Sequence, residues 1–320
     1  MLETAGQLAS SRVPAARAEA TVGEVLERLR GHHWDETDTV FVLDGDERLM
    51  GAVPLWALLA APSEARIGAH ARVPVFVTPG VDQEHVAMQA VHHGAGSVAV
   101  VDDGRRLLGA VPAARLLLVL HREHVEDLHK LAGIVHETAQ AEHALADPPL
   151  RRARHRLPWL LVGLGGSAVA TFVASRFEEV LTARVTLAFF IPGIVYLADA
   201  IGTQTEAVSV RFLSFGGGRR RIGPLLRGEA LTGLVVGLSL GALAATGAFV
   251  AFRDALLALA VGLSILVAGT VAATIGLFLP WLLSRHGVDP AFGSGPLATV
   301  IQDVLSLLVY FGIVSLLLRL

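Results

Sequence analysis

Five apolar segments limit what this chain can become more than any other feature. Pro158–Ser175, Val185–Ile201, Glu229–Phe252, Ala255–Leu283 and Pro296–Leu318 each approach the ~20 residues that an α-helix needs to cross a bilayer, although the second is short and interrupted. All five lie in residues 158–320, where Leu, Val, Ala and Gly dominate, whereas residues 1–157 hold most of the Asp, Glu and His. An overall hydrophobic content of 53% conceals two unlike halves, a water-soluble domain and a membrane domain. Net charge is −3, which argues against a basic nucleic-acid-binding surface. The absence of cysteine excludes disulfides, thiolate metal sites and a catalytic thiol. The first 30 residues lack an apolar signal core, so the N-terminus is expected to stay in the cytoplasm.

Arginine sets the expected orientation. Arg151, Arg152, Arg154, Arg156, Arg211, Arg219, Arg220, Arg221, Arg227 and Arg285 fall in segments assigned to the cytoplasmic side, against Arg176, Arg184, Arg253 and Arg319 opposite. A multi-pass protein of the inner (plasma) membrane follows, N-terminus inside and C-terminus outside. Gly233, Gly237 and Gly241 recur every four residues on the third span, and Gly262, Gly269 and Gly276 every seven on the fourth. Small residues along one face let helices approach closely, so these glycines are read as packing positions.

The polar half repeats itself. TVFVLDGDERLMGAVPLWALLA (Thr39–Ala60) aligns without a gap to SVAVVDDGRRLLGAVPAARLLL (Ser97–Leu118), 58 residues later. Each copy reads as a buried strand, an acidic turn, a second strand through Gly-Ala-Val-Pro and a helix, preceded by a helical stretch. This doubled β-α-β-β-α unit resembles the paired CBS (cystathionine-β-synthase) module, which implies an α+β fold for residues 1–122, divided at about residue 62. CBS pairs often hold adenosine nucleotides through a hydroxyl residue and a nearby Asp. Pro54 and Ala57 occupy those positions in one repeat, Pro112 and Arg115 in the other, so nucleotide binding and any organic cofactor are not expected.

Histidines occur as His32/His33 and His92/His93, then as His121, His124 and His129 beside Glu123 and Asp127. Two imidazoles at i, i+3 without a third ligand make a weak metal site, and a solvated surface explains them. Residues 123–155 are expected to be the acidic connecting segment, with Glu123, Glu126, Asp127, Glu137, Glu142 and Asp147 next to the membrane. From about 120 to 146 only Gly133 interrupts the pattern, so it reads as one or two helices, ended by Pro148 and Pro149. A solvated helix face accounts for these carboxylates; a patch that senses Mg²⁺ or Ca²⁺ through hard oxygen ligands is the sharper reading.

Inside the membrane, polar groups gather in two places. Gly295, Thr299, Gln302, Asp303, Ser306 and Tyr310 share a stripe on the fifth span. Tyr196, Asp199, Thr203 and Glu206 share one on the second, with Gln204 beside them and Pro192 expected to kink the helix. A carboxylate at the bilayer centre costs at least ~2.5 kcal/mol on insertion scales, so it marks an ion path unless it is buried against a partner. Both stripes together offer carboxylate, hydroxyl and carbonyl oxygens to a passing cation.

RLPWLLVGL (Arg156–Leu164), FEEVL (Phe177–Leu181), LAFFIPGI (Leu187–Ile194), AIGTQTEAVSVRFLS (Ala200–Ser214) and DPAFGSGPLATVIQDVLSLLVYFGI (Asp289–Ile313) resemble the MgtE magnesium channel/transporter family, as does VEDLHKLAGI (Val125–Ile134). The resemblance implies a homodimeric, non-enzymatic protein whose pore lies between two membrane domains, residues 156–320. Asp303 matches the aspartate that holds hydrated Mg²⁺, with a backbone carbonyl at Thr299 one turn earlier. Asp199, Thr203, Gln204 and Gly295 join it as candidate pore ligands. The connecting helix would be the plug, shut when cytosolic Mg²⁺ bridges acidic faces, so Mg²⁺ would be both substrate and regulator. The family's N-terminal superhelical domain is not among these residues, which implies weaker or differently tuned gating. Asp199 and Ala200 replace a Gly-Asn pair, which bears on ion preference. A proton- or sodium-coupled transporter of Mn²⁺ or Co²⁺ is the alternative. A membrane enzyme lacks support, since no nucleophile–base or HExxH pattern is present.

Overall fold

The computed structural model describes residues 4–134, 148–214, 221–292 and 294–318. Two compact units make up the chain, Met1–His124 and Val125–Leu320.

The first unit opens with α1 (Ala5–Leu8), then β1 (Ala15–Arg17), α2 (Val22–Leu29), β2 (Thr39–Leu43), β3 (Leu49–Pro54) and α3 (Leu55–Ala60). The pattern recurs as β4 (Phe76–Val77), α4 (Gln83–His93), β5 (Val98–Val101), β6 (Leu107–Val111) and the start of α5 (Ala113–Leu131). In each half the first strand runs parallel to the second and the second antiparallel to the third, giving two three-stranded sheets. The repeat extends to the turns. Asp44 Oδ1 accepts from the Asp46 and Arg48 amides, as Asp102 Oδ1 accepts from the Arg106 amide. Glu47 and Arg105, 58 residues apart, both adopt a left-handed backbone, with φ of 63° and 62°. The acidic turns expected from sequence therefore spend their carboxylates on closing their own backbone.

Each half receives a segment from beyond its own strands. Ser10 exchanges backbone hydrogen bonds with Ala110 on β6, and Arg72 does the same with Ala52 on β3. That exchange explains the Gly of both Gly-Ala-Val-Pro motifs: a Cβ at Gly51 would lie 2.6 Å from that of Ala71, and one at Gly109 would strike the Ser10 carbonyl. Helix starts are capped locally. Thr21 and Glu24 form a capping box on α2, and Asp82 accepts from the Glu84 amide on α4.

Among the described residues, the second unit holds five helices long and apolar enough to cross a membrane. α6 (Pro149–Ser175) leads through a short α7 (Glu178–Ala183) and a 3₁₀ turn (Val185–Phe190) into α8 (Ile191–Ser214). α9 (Ile222–Phe252), α10 (Ala255–Arg285) and α11 (Ser294–Leu318) follow. Two expectations about the second span change. It runs over Val185–Leu213 rather than stopping at Ile201, because the polar residues beyond Ile201 remain helical. Pro192 does not kink it: it stands in the first turn of α8, where a missing N–H and a fixed φ suit helix initiation.

α10 is the hub, packing against α8, α9 and α11, while α6 packs on α11. The glycines expected to bring helices together do so. Cβ atoms at Gly237 and Gly241 would come within 2.8 Å and 2.5 Å of the α10 backbone at Leu266 and Gly262. Gly262 faces α9, but Gly269 and Gly276 face α8 at Ile201 and Gly202. The apolar core between these helices includes Leu187, Ile194, Leu257, Val261, Ile265 and Phe311.

Candidate functional site

Helical geometry decides which polar residues meet. Asp199, Gly202 and Glu206 follow at three and four residues along α8 and so share one face. Across from them α11 presents Gln302, whose amide lies so close over Gly202 that a Cβ there would overlap it. Asp199 and Asp303 are near enough for their charges to act on each other, and the same holds for Asp199 and Glu206. The two stripes read from sequence are thus juxtaposed within one chain.

The α11 stripe nonetheless divides. Gln302, Ser306 and Tyr310 are buried, and Tyr310 Oη donates to the Leu187 carbonyl at 2.7 Å, so its hydroxyl serves the core. Thr299 and Asp303 are half-buried, at the margin of the bundle. On α8, Asp199 is half-buried, whereas Thr203, Gln204 and Tyr196 are exposed on the outer surface of the bundle. Tyr196 and Thr203 therefore do not share the enclosure of Glu206, because a helix in contact on two sides still leaves a third side open. Gly295 packs against the Leu131 carbonyl, a contact that no larger residue would allow.

Two residues outside the expected ligand set are almost fully enclosed at this seam: Glu206 and Gln302 are each 2% exposed. Glu206 faces Ser294, while one of its oxygens and both amide atoms of Gln302 have no hydrogen-bond partner within the protein. The sequence signal for Gln302 was its place on the stripe; its contact with Gly202 was not legible. Among the described residues no three His, Asp or Glu side chains converge on one point, so a cation here would also need amide, hydroxyl and carbonyl oxygens or its own water.

A second charged cluster lies where α5 ends. Gly133, with φ of 68°, closes the helix through the Gly133 and Ile134 amides, which donate to the Lys130 and His129 carbonyls. That turn packs on Trp159 and Pro296. Lys130 Nζ bridges Glu126, at 2.7 Å, and Asp289. Burial lowers the Lys130 pKa, but its hydrogen bonds to Asp289 and Glu126 outweigh that and hold it above the usual lysine range. Asp127, 8% exposed, lies 3.6 Å from Arg211. Its burial, reinforced by the charge of Asp289, pushes its carboxyl up to about 6. Of the other expected regulatory ligands, Glu123 accepts from Gln83 Nε2 at 2.7 Å, while Glu137 and Glu142 lie outside the described residues. His121 and His124 are exposed, as are His32, His33, His92 and His93. Arg115, at one ribose position, donates to the Leu8 carbonyl at 2.5 Å and ties α1 down.

Residues 191–313 match the MgtE family model, described as a divalent cation transporter, and residues 5–64 match the CBS domain. Magnesium transporter MgtE of Enterococcus faecalis is 32% identical over 99% of this chain and 70% of its own length. Magnesium transporter MgtE of Thermus thermophilus is also 32% identical, with the same coverage of both chains. Among solved structures, the cytosolic domain of the Mg²⁺ channel MgtE in complex with ATP is 31% identical over 37% of this chain and 48% of that one, with a TM-score of 0.35. The soluble part of a magnesium transporter is 26% identical over 38% and 48%, again with a TM-score of 0.35. With α8 through α10 and most of α11 inside the matched region and relatives aligned along almost its whole length, the chain belongs to the MgtE family of divalent cation transporters.

Proposed function

We propose that this protein moves Mg²⁺ into the cytoplasm down its electrochemical gradient, along a path between the membrane units of two copies. The observation that carries the reading is that Asp199 on α8 and Asp303 on α11 lie within range of each other's charge, with Asp303 and Thr299 half-buried at the margin of the bundle. Exposed Thr203 and Gln204 on the outer face of α8 support a second copy, since polar groups within a span need a partner other than lipid. Mg²⁺ sheds water reluctantly, so a ring of oxygens around a hydrated ion, with one Asp303 from each copy, suits it. Entry of the ion relieves the repulsion between those carboxylates. An inside-negative potential contributes ~2.3 kcal/mol per charge per 100 mV, doubled for a divalent cation, so no ATP is needed. The N-terminus is cytoplasmic and the C-terminus outside in this scheme, which follows the arginine distribution. The end of α5 acts as the gate, with Glu126 and Asp127 at its acidic face next to Asp289.

The test is Mg²⁺ uptake into proteoliposomes under an imposed inside-negative potential. Saturable uptake by the wild type that is abolished in Asp303→Ala is the expected outcome. Normal uptake by that variant would show Asp303 to be a buried structural carboxylate, and uptake of Mn²⁺ or Co²⁺ without Mg²⁺ would move the substrate away from magnesium.

A further inference from the structure

Glu206, Gln302 and Ser294 lie apart from the half-exposed margin that carries Asp303 and Thr299. They are 2%, 2% and 0% exposed, enclosed where α8 meets α11. One Glu206 oxygen, Gln302 Oε1 and Gln302 Nε2 are left without a partner in the protein. Burying such atoms forfeits their hydration with nothing in return, and apolar side chains of the same shape would avoid that loss. The helices are shaped around these groups all the same. Gly202, one turn before Glu206, leaves room for the Gln302 amide, and Gly276 lets α10 close on the same turn of α8. Glu206 faces the Ser294 hydroxyl and feels the charge of Asp199; among the described residues no basic side chain contributes to its surroundings. A buried carboxylate that faces a hydroxyl, one turn from the glycine that seats an unpartnered amide, calls for a cation.

We propose that α8 and α11 of each protomer form an enclosed site for a dehydrated monovalent cation of sodium size. Glu206 supplies the charge, and Gln302 Oε1 and Ser294 Oγ supply neutral oxygens. One carboxylate balances one monovalent charge. Mg²⁺ fits poorly, because it demands octahedral coordination and keeps much of its water, for which a closed helix seam has no space. The site is separate from the pore aspartate and does not rest on the transport proposal.

The experiment uses the full chain purified in detergent, compared in sodium chloride and in choline chloride at equal ionic strength. Sodium is expected to raise Tm by a few degrees, because a ligand bound only by the folded state stabilises it, and radioactive sodium should bind saturably. Glu206→Gln should abolish both effects, Gln302→Leu should weaken binding about tenfold by removing one oxygen ligand, and Asp303→Asn should leave binding intact. Absence of saturable sodium binding by the wild type overturns the site whatever the variants do. Equal binding by a monodisperse Glu206→Gln protein also overturns it, and stabilisation by magnesium alone would overturn the monovalent assignment.

Discussion

Two helix seams of the membrane unit are built from similar residues to opposite ends. Between α9 and α10, Gly233, Gly237 and Gly241 bring backbone against backbone, with Leu266, Gly262 and Thr270 opposite and no charged group in the contact. Between α8 and α11, Gly202 makes room for the polar head of Gln302, beside Glu206 and near Asp199 and Asp303. One seam is closed by backbone contact, and dispersion holds it; the other keeps buried polar atoms at a cost. Close packing belongs to the first; the second holds the polar groups on which the proposed ion chemistry rests.

The sharpest way to break that contrast is to put the same methyl group on both seams. Gly241→Ala would meet the Gly262 carbonyl at 2.5 Å, a backbone atom that moves only if the helices part. A loss of ~2–3 kcal/mol is expected, read as a large fall in Tm and a loss of monodispersity. Gly202→Ala meets only the end of a flexible Gln302 side chain, so a smaller cost of ~1 kcal/mol is expected, with the fold retained. Equal losses at the two positions would erase the distinction.

The charged end of α5 sharpens the comparison from outside the seams. Lys130→Met removes the cation between Glu126 and Asp289, whose side chains remain 43% and 38% exposed. Solvent screening limits the loss to ~1 kcal/mol, and added Mg²⁺ should restore part of it as a rise in Tm larger than in the wild type. The smallest effect is expected at Asp127. Its carboxyl titrates at about 6 in the fold against 3.8 when unperturbed, so the folded state binds the proton more tightly. Stability from this group is therefore greatest below 3.8, falls as pH rises to about 6 and is level above. Asp127→Asn should flatten that slope in a Tm series across pH; an unchanged slope would assign it to another group.

Much of this was open to the sequence. The 58-residue repeat predicted both sheets, and its paired Gly-Ala-Val-Pro motifs fall on β3 and β6. The glycine spacings predicted close helix contacts, although not that Gly262 would face α9 while Gly269 and Gly276 face α8. A repeat of seven drifts around a helix of 3.6 residues per turn, so one row can serve two neighbours. The polar stripes fell on the two helices that meet at this seam, but did not reveal how their residues divide between core and margin. Residues within one broad arc of α11 meet different surroundings, the carbonyl of Leu187 for Tyr310, the amide-sized gap at Gly202 for Gln302 and the bundle margin for Asp303.

Local spacing and composition determined that this chain has a doubled α+β module and five membrane helices, because hydrophobic length and side-chain period are properties of neighbours in sequence. Which carboxylate is enclosed, which is half-exposed and which is already matched by Lys130 was decided only by tertiary structure. Those states depend on groups more than ninety residues away, Glu206 and Gln302 at one seam, Lys130 and Asp289 at the helix end, and no periodicity within a helix encodes what another helix brings against it.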